Sequence, residues 1–177
     1  LNGFSRPLME NDRATVASLL KENGYNTAVV GKWHLGLGWV PKREYAHLLG
    51  NKRYGIDAEM NPDHIDLTAP MTVSPNTNGF DYSYVLPASL DMQPYGYVEN
   101  GKLVDPLTSF TTGKKPDTGY AGAFWRPGLM STSFDFFDVL PGFTRKANEF
   151  LKRQTKGKPF FLYLPMPAPH TPWMPIT

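Results

Sequence analysis

The sequence predicts an α/β fold: part of a predominantly parallel central sheet flanked by helices, with a long irregular insertion. Two observations carry that expectation. A helix followed by a short buried-type strand occurs twice, over roughly residues 10–38 and 139–177, and parallel strands are joined by such helical crossovers. Between them, residues 39–138 are rich in Pro, Gly, Asn, Tyr and Phe and show no helical period.

The first unit opens with "NDRATVASLLKENGY", where Val16, Leu19 and Leu20 recur at helical spacing. Asn11 or Asp12 is placed to cap its start, and Gly24 stands where a helix stops. "YNTAVV" follows, β-branched and apolar, as a buried strand. In the second unit, "LPGFTRKANEFLKRQTKGK" puts Phe143, Ala147, Phe150 and Leu151 on one helical face. Pro141 lies near its start and basic residues toward its end. "PFFLYLP" is a second buried-type strand, and "MPAPHTPW" is the loop beyond it. In the middle zone, "YGYVEN" and "GKLV" are short strands joined at Asn100-Gly101, a hairpin signal. A structureless run of that length suits an insertion at the sheet edge that shapes a substrate site.

Composition narrows the classes. At 177 residues with 41% apolar and 19% charged residues, the chain can bury a core. A net charge of +2, with scattered basic residues, points away from nucleic acid. No apolar run approaches the roughly eighteen residues of a membrane span, and the first residues carry no targeting pattern. The chain has no cysteine. It begins without Met and stops within a loop, which reads as an internal segment of a longer protein.

Open α/β sheets bind ligands beyond the carboxyl ends of their strands. The first such loop supplies Lys32 and His34, the second His170, and neither contains a carboxylate. Each residue alone reads as ordinary surface. Together, at two strand ends, they form a cationic crevice suited to a tetrahedral oxyanion. In extended backbone Lys32 and His34 face one side and Trp33 the other. Prolines on both sides of His170 stiffen its loop. Trp33 stands where a P-loop needs Ser or Thr, and "GLG" at 36–38 lacks the third glycine of a dinucleotide fingerprint. His47 and His64 have no partner at metal-ligand spacing and read as surface histidines.

"TVASLLKENGYNTAVVGKWHLG" resembles a signature segment of the sulfatases, within the alkaline-phosphatase-like superfamily. The match runs through Gly24, Tyr25, Thr27, Gly31, Lys32, Trp33, His34, Leu35 and Gly36. "GFDYSYVLPASLDMQPYGYVEN" and "KPFFLYLPMPAPHTPW" resemble further segments of bacterial arylsulfatase-type enzymes, many of which act on sulfated glycans. The resemblance implies an alkaline-phosphatase-like fold and hydrolysis of a sulfated carbohydrate or aryl sulfate by a formylglycine nucleophile with calcium. It further implies that Lys32 contacts the sulfate and the formylglycine oxygen, and that His34 acts on the formylglycine hydroxyl. His170 would bind sulfate and help protonate the leaving alcohol. Asp91, by a sugar hydroxyl, and Tyr95 or Tyr97, by stacking on a ring, are candidate substrate contacts. The family also implies a periplasmic or secreted location.

The departures define what is missing. No C/S-x-P-x-R segment is present, and "FSRPL" at 4–8 has its residues in the wrong order. The family places that nucleophile a few tens of residues before the lysine–histidine pair. The family's metal-binding Asp and Asn pairs and its second sulfate lysine are also absent. Formylglycine and calcium are therefore expected from outside this segment, in the remainder of its catalytic domain, and the segment alone is expected to be inactive. The alternatives are a phosphoryl or phosphonate ester hydrolase of the same superfamily and a non-catalytic carbohydrate-binding relative.

Overall fold

The computed structural model describes residues 1–10, 13–50, 59–115 and 124–172. Among them the chain forms helices α1 (Val16–Glu22) and α2 (Val139–Lys152). Its strands are β1 (Asn26–Lys32), β2 (Tyr82–Leu86), β3 (Val98–Glu99), β4 (Lys102–Leu103), β5 (Ser109–Thr111), β6 (Gly128–Met130) and β7 (Phe160–Tyr163). Five strands make the main sheet in the order β4-β3-β2-β1-β7, and β5 and β6 pair separately. The three inner-to-edge strands β2, β1 and β7 run parallel, while β3 and β4 are antiparallel. The two helix–strand units thus deliver their strands, β1 and β7, side by side.

The middle zone contains the hairpin strands β3 and β4 where the sequence places them, and it adds β2 to the main sheet. Residues 82–103 supply β2, β3 and β4, and β2 lies directly against β1, with Lys32 opposite Leu86. Hydrogen bonds drive this placement together with apolar pairing. Thr27 is fully buried, and its hydroxyl donates to the Gly79 carbonyl at 2.8 Å while accepting from the Asp81 N–H at 3.0 Å. That contact pins the entry of β2 to the start of β1. The Asn100-Gly101 turn does close β3 on β4, with both residues in the left-handed region.

Alternate residues of the strands face two cores, as the period of two requires. Val29, Val85 and Val98 pack with Phe4, Trp33, Trp39 and Phe80 on one side of the sheet. Val30, Tyr84 and Leu86 pack on the other with Tyr95, Phe134, Phe136 and the α2 residues Val139, Phe143 and Ala147.

Four local expectations are corrected. Asn11 and Asp12, the expected caps, lie outside the described residues; α1 is capped by Thr15, whose Oγ1 accepts from Ser18 N–H as Ser18 Oγ accepts from Thr15 N–H. Its expected apolar face is turned outward: Val16 and Leu19 are 64% and 59% exposed, and Ala17 is the buried residue. On α2, Phe143, Ala147 and Phe150 are buried, whereas Leu151 is exposed. β7 is not a buried strand here, because Phe160 and Tyr163 are exposed and no described strand pairs with its outer edge. An apolar groove of about 300 Å³, lined by Met9, Val16, Leu35, Phe80, Phe161 and Tyr163, runs along that side.

Candidate active site

The parallel register builds the site. Because Lys32 ends β1 opposite Leu86 at the end of β2, the loops beyond both strands leave the sheet at one level. Their backbones stay tied: the N–H groups of Trp33 and His34 donate to the carbonyls of Leu86 and Pro87 at 2.9 and 3.1 Å. The third loop joins through Lys32 N–H, which donates to the Pro165 carbonyl at 2.8 Å. Gly31 makes this approach possible, since its φ is +141° and a Cβ there would lie 2.3 Å from the Pro165 oxygen.

Lys32 and His170 meet at a third side chain, Ser89. The Lys32 ammonium donates to Ser89 Oγ at 3.1 Å, and the same oxygen lies 3.1 Å from His170 Nδ1. His170 Nδ1 is also 2.6 Å from the Thr171 carbonyl, while Ser89 is buried. His34 faces the same crevice, its titration governed by burial, which lowers its pKa, then raised by the Leu1 carbonyl and lowered by the Lys32 charge. Its Nε2 lies 2.7 Å from that carbonyl. Burial likewise lowers the Lys32 pKa, with the Asp91 carboxylate opposing it. His34 does not reach the crevice by strand alternation as expected. The strand ends at Lys32, and His34 takes a left-handed φ of 54° while Trp33 turns into the core.

Ser89 escapes sequence reasoning because "LPASLDM" has neither periodicity nor a recognisable chemical spacing. Its one signal is position, three residues beyond a strand end, which is visible only once β2 is seen as a strand.

Asp91 and Tyr95 occupy other environments than those expected of substrate contacts. Tyr95 is 0% exposed; its ring packs against Phe134 and Phe136, and its hydroxyl donates to the Arg126 carbonyl at 2.7 Å. It cannot stack on a sugar. Tyr97 is held between Tyr84, Phe134 and Phe143. The Asp91 side chain is only 5% exposed, with Oδ2 at 3.4 Å from Arg126 Nη2 and Oδ1 buried without a hydrogen-bond partner. Sealed from solvent, that carboxylate acts on Lys32 through its charge rather than on a ligand through a hydrogen bond.

The residues present do not fit calcium. Among the described residues no cluster of three or more His, Asp or Glu could hold a metal ion, and the crevice presents Lys32 and two histidines rather than carboxylates. No cysteine is available for conversion to formylglycine. His64 stacks on Tyr45 with ring centroids 3.8 Å apart.

No family model matches the chain. It is 31% identical over 202 aligned residues to an N-acetylgalactosamine-6-O-sulfatase of Bacteroides thetaiotaomicron, covering 98% of this chain and 35% of that protein. The chain belongs to the sulfatases. Human arylsulfatase G is 25% identical to this sulfatase chain, over 94% of the chain and 27% of its own length. A solved structure concerned with the metabolism of multiple glycosaminoglycans by Bacteroides thetaiotaomicron superposes on it with a TM-score of 0.68 and 27% identity, covering 98% of the chain and 38% of that structure. The sulfatase chain therefore spans about a third of the length of these relatives. Its mixed, mostly parallel sheet with flanking helices is the alkaline-phosphatase-like arrangement. The sulfatase family implies formylglycine and calcium in general. Among the described residues no helix is long and apolar enough to cross a membrane.

Proposed function

We propose that, within its full-length polypeptide, this segment binds and helps cleave the sulfate ester of a sulfated carbohydrate, with aryl sulfates as simpler substrates. The single observation that carries the reading is the Ser89 bridge, which holds Lys32 and His170 at one point beyond two parallel strands. Three groups able to carry charge or donate hydrogen bonds converge there, with His34 as the third. A relative named N-acetylgalactosamine-6-O-sulfatase supports a sulfated amino sugar as the substrate class.

Each residue has a role consistent with its position. Lys32 neutralises a non-bridging sulfate oxygen, a point charge in a desolvated crevice where such an interaction is strengthened. As an oxygen nucleophile supplied from outside this segment bonds to sulfur and the S–O bond to the alcohol breaks, its electron pair moves to the bridging oxygen, which takes a proton from His170. Neutral His34, its pKa lowered by burial, is suited to accept a proton within the crevice. No step is assigned to calcium or formylglycine, because these residues hold neither. The chain by itself is expected to release no sulfate. A periplasmic or secreted location accords with glycan substrates.

The full-length polypeptide is expected to release sulfate from a sulfated monosaccharide and from an aryl sulfate, measured by ion chromatography. Hydrolysis of an aryl phosphate with no action on either sulfate would overturn this in favour of the phosphoryl-transfer alternative. Ser89→Ala is expected to lower kcat/KM roughly 10- to 100-fold, the loss of about 1.4 to 2.7 kcal/mol of positioning. Its Tm should stay close to the parent's, since the Ala removes one oxygen and adds no volume. An unchanged kcat/KM would remove Ser89 from the site.

A further inference from the structure

Residues 1–5 form a compact turn that holds one backbone carbonyl against His34. Asn2 N–H donates to Ser5 Oγ at 2.8 Å, and Ser5 N–H donates to the Asn2 carbonyl at 3.1 Å, closing the turn on itself. The Gly3 carbonyl accepts from Trp39 Nε1 at 2.9 Å, and the Phe4 carbonyl accepts from Met60 N–H at 3.1 Å. Phe4 is fully buried against Trp39. A Cβ at Gly3 would lie 2.2 Å from the Gln93 oxygen, so the turn is pressed against the chain beyond β2. Glu59 holds it from another side. Its backbone pairs with Ser5, and its carboxylate accepts from the Phe4 N–H and the Asn2 side chain. Burial raises the Glu59 pKa, and these two donors and the Arg126 charge oppose that.

What this clamp delivers is the Leu1 carbonyl, 2.7 Å from His34 Nε2. A carbonyl has no proton to give, so the hydrogen of that bond belongs to the ring. Nε2 therefore carries a hydrogen in the neutral ring, and the lone pair sits on Nδ1. The same carbonyl favours the charged ring, the stronger donor. Lys32 from β1, His170 from the loop after β7 and the Leu1 amino group all oppose that charge.

We propose that Glu59 is a positioning residue: by clamping the first segment it holds His34 as the Nε2–H tautomer, so that Nδ1 is the atom that takes a proton in the crevice. This rests on the reading of His34 as a proton acceptor given above. The proton leaves a hydroxyl and bonds to the Nδ1 lone pair, while the Leu1 carbonyl keeps the other ring hydrogen throughout. Glu59 acts through Leu1 and His34 rather than on the substrate.

Histidine-selective ¹⁵N NMR of the full-length polypeptide, with His34 assigned by signal loss in His34→Ala, is expected to show a hydrogen on Nε2 and a bare Nδ1 in the neutral ring. A hydrogen on Nδ1 in that ring would overturn the proposal. Glu59→Gln and Asn2→Ala each loosen the clamp and so weaken a contact that favours the charged ring. The His34 titration midpoint and the acid limb of kcat/KM should then both move to lower pH. At the optimum, kcat should fall about three- to tenfold with KM nearly unchanged, part of the roughly 10²- to 10⁴-fold that a positioned general base supplies. A midpoint unmoved in both variants would overturn the clamp whatever the loss of kcat or Tm, because a purely structural role does not shift that titration. Failure of the parent to release sulfate would instead overturn the sulfatase reading, with the NMR midpoint still deciding the clamp.

Discussion

Lys32→Ala in the full-length polypeptide is expected to lower kcat/KM for a sulfate ester by about 10²- to 10³-fold, the cost of losing one preorganised charge at a developing anion. Lys32→Arg should not restore it, because the planar guanidinium is larger than the ammonium that fits against Ser89 Oγ at 3.1 Å. The pH dependence gives a second reading. The ammonium must be charged to bind the anion, and burial holds its pKa below 10.5, so activity is lost as pH rises through that lowered value. The groups facing it are Ser89, His34, His170 and the buried Asp91. Asp91 is the charge that opposes the shift. Asp91→Asn should therefore move the alkaline limb of kcat/KM to lower pH. A uniform loss at every pH would mean that Asp91 serves only packing.

Gly31→Ala should destabilise the protein by about 3 kcal/mol or more, combining a left-handed φ with a clash against backbone. The added methyl would lie 2.3 Å from the Pro165 oxygen and 2.9 Å from its carbonyl carbon, neither of which is a flexible side-chain end. Relief requires the loop after β7 to move from β1, breaking the Lys32 N–H bond to Pro165 and carrying His170 from Ser89. Urea unfolding and kcat/KM should fall together. A parental denaturation midpoint would show that the two strand ends are not held as tightly as the 2.8 Å bond indicates.

Much of the framework is legible because it is local. The residues of α2 recur at a helical period, "NTAVV" and "PFFLYL" are apolar and β-prone, and Asn-Gly names its own turn. The convergence of Lys32 and His170 follows from two strands ending in like fashion. β2 is harder to read. "YSYVL" contains one β-branched residue and two tyrosines, and its place beside β1 depends on Thr27, some fifty positions away, bonding to Gly79 and Asp81. Without β2, Ser89 has no reason to be near Lys32. Tyr95 fails for a different reason: an aromatic side chain has the same sequence signature whether it forms a binding platform or fills a core. Val16 and Leu19 reveal the converse, a helical stripe that is present in sequence and uncovered in the structure.

That uncovered side has a consequence in time. The outer edge of β7 and the groove beside α1 present apolar side chains and open backbone groups among the described residues. Such an edge templates pairing with whatever strand arrives first. Synthesis adds roughly 5–20 residues each second, and the matched stretch is only about a third of the length of the sulfatase relatives. While that edge is open, the sheet faces competition between pairing within its own polypeptide and pairing with a neighbouring nascent copy. The strand that positions His170 is therefore also the place where folding is most exposed to going astray.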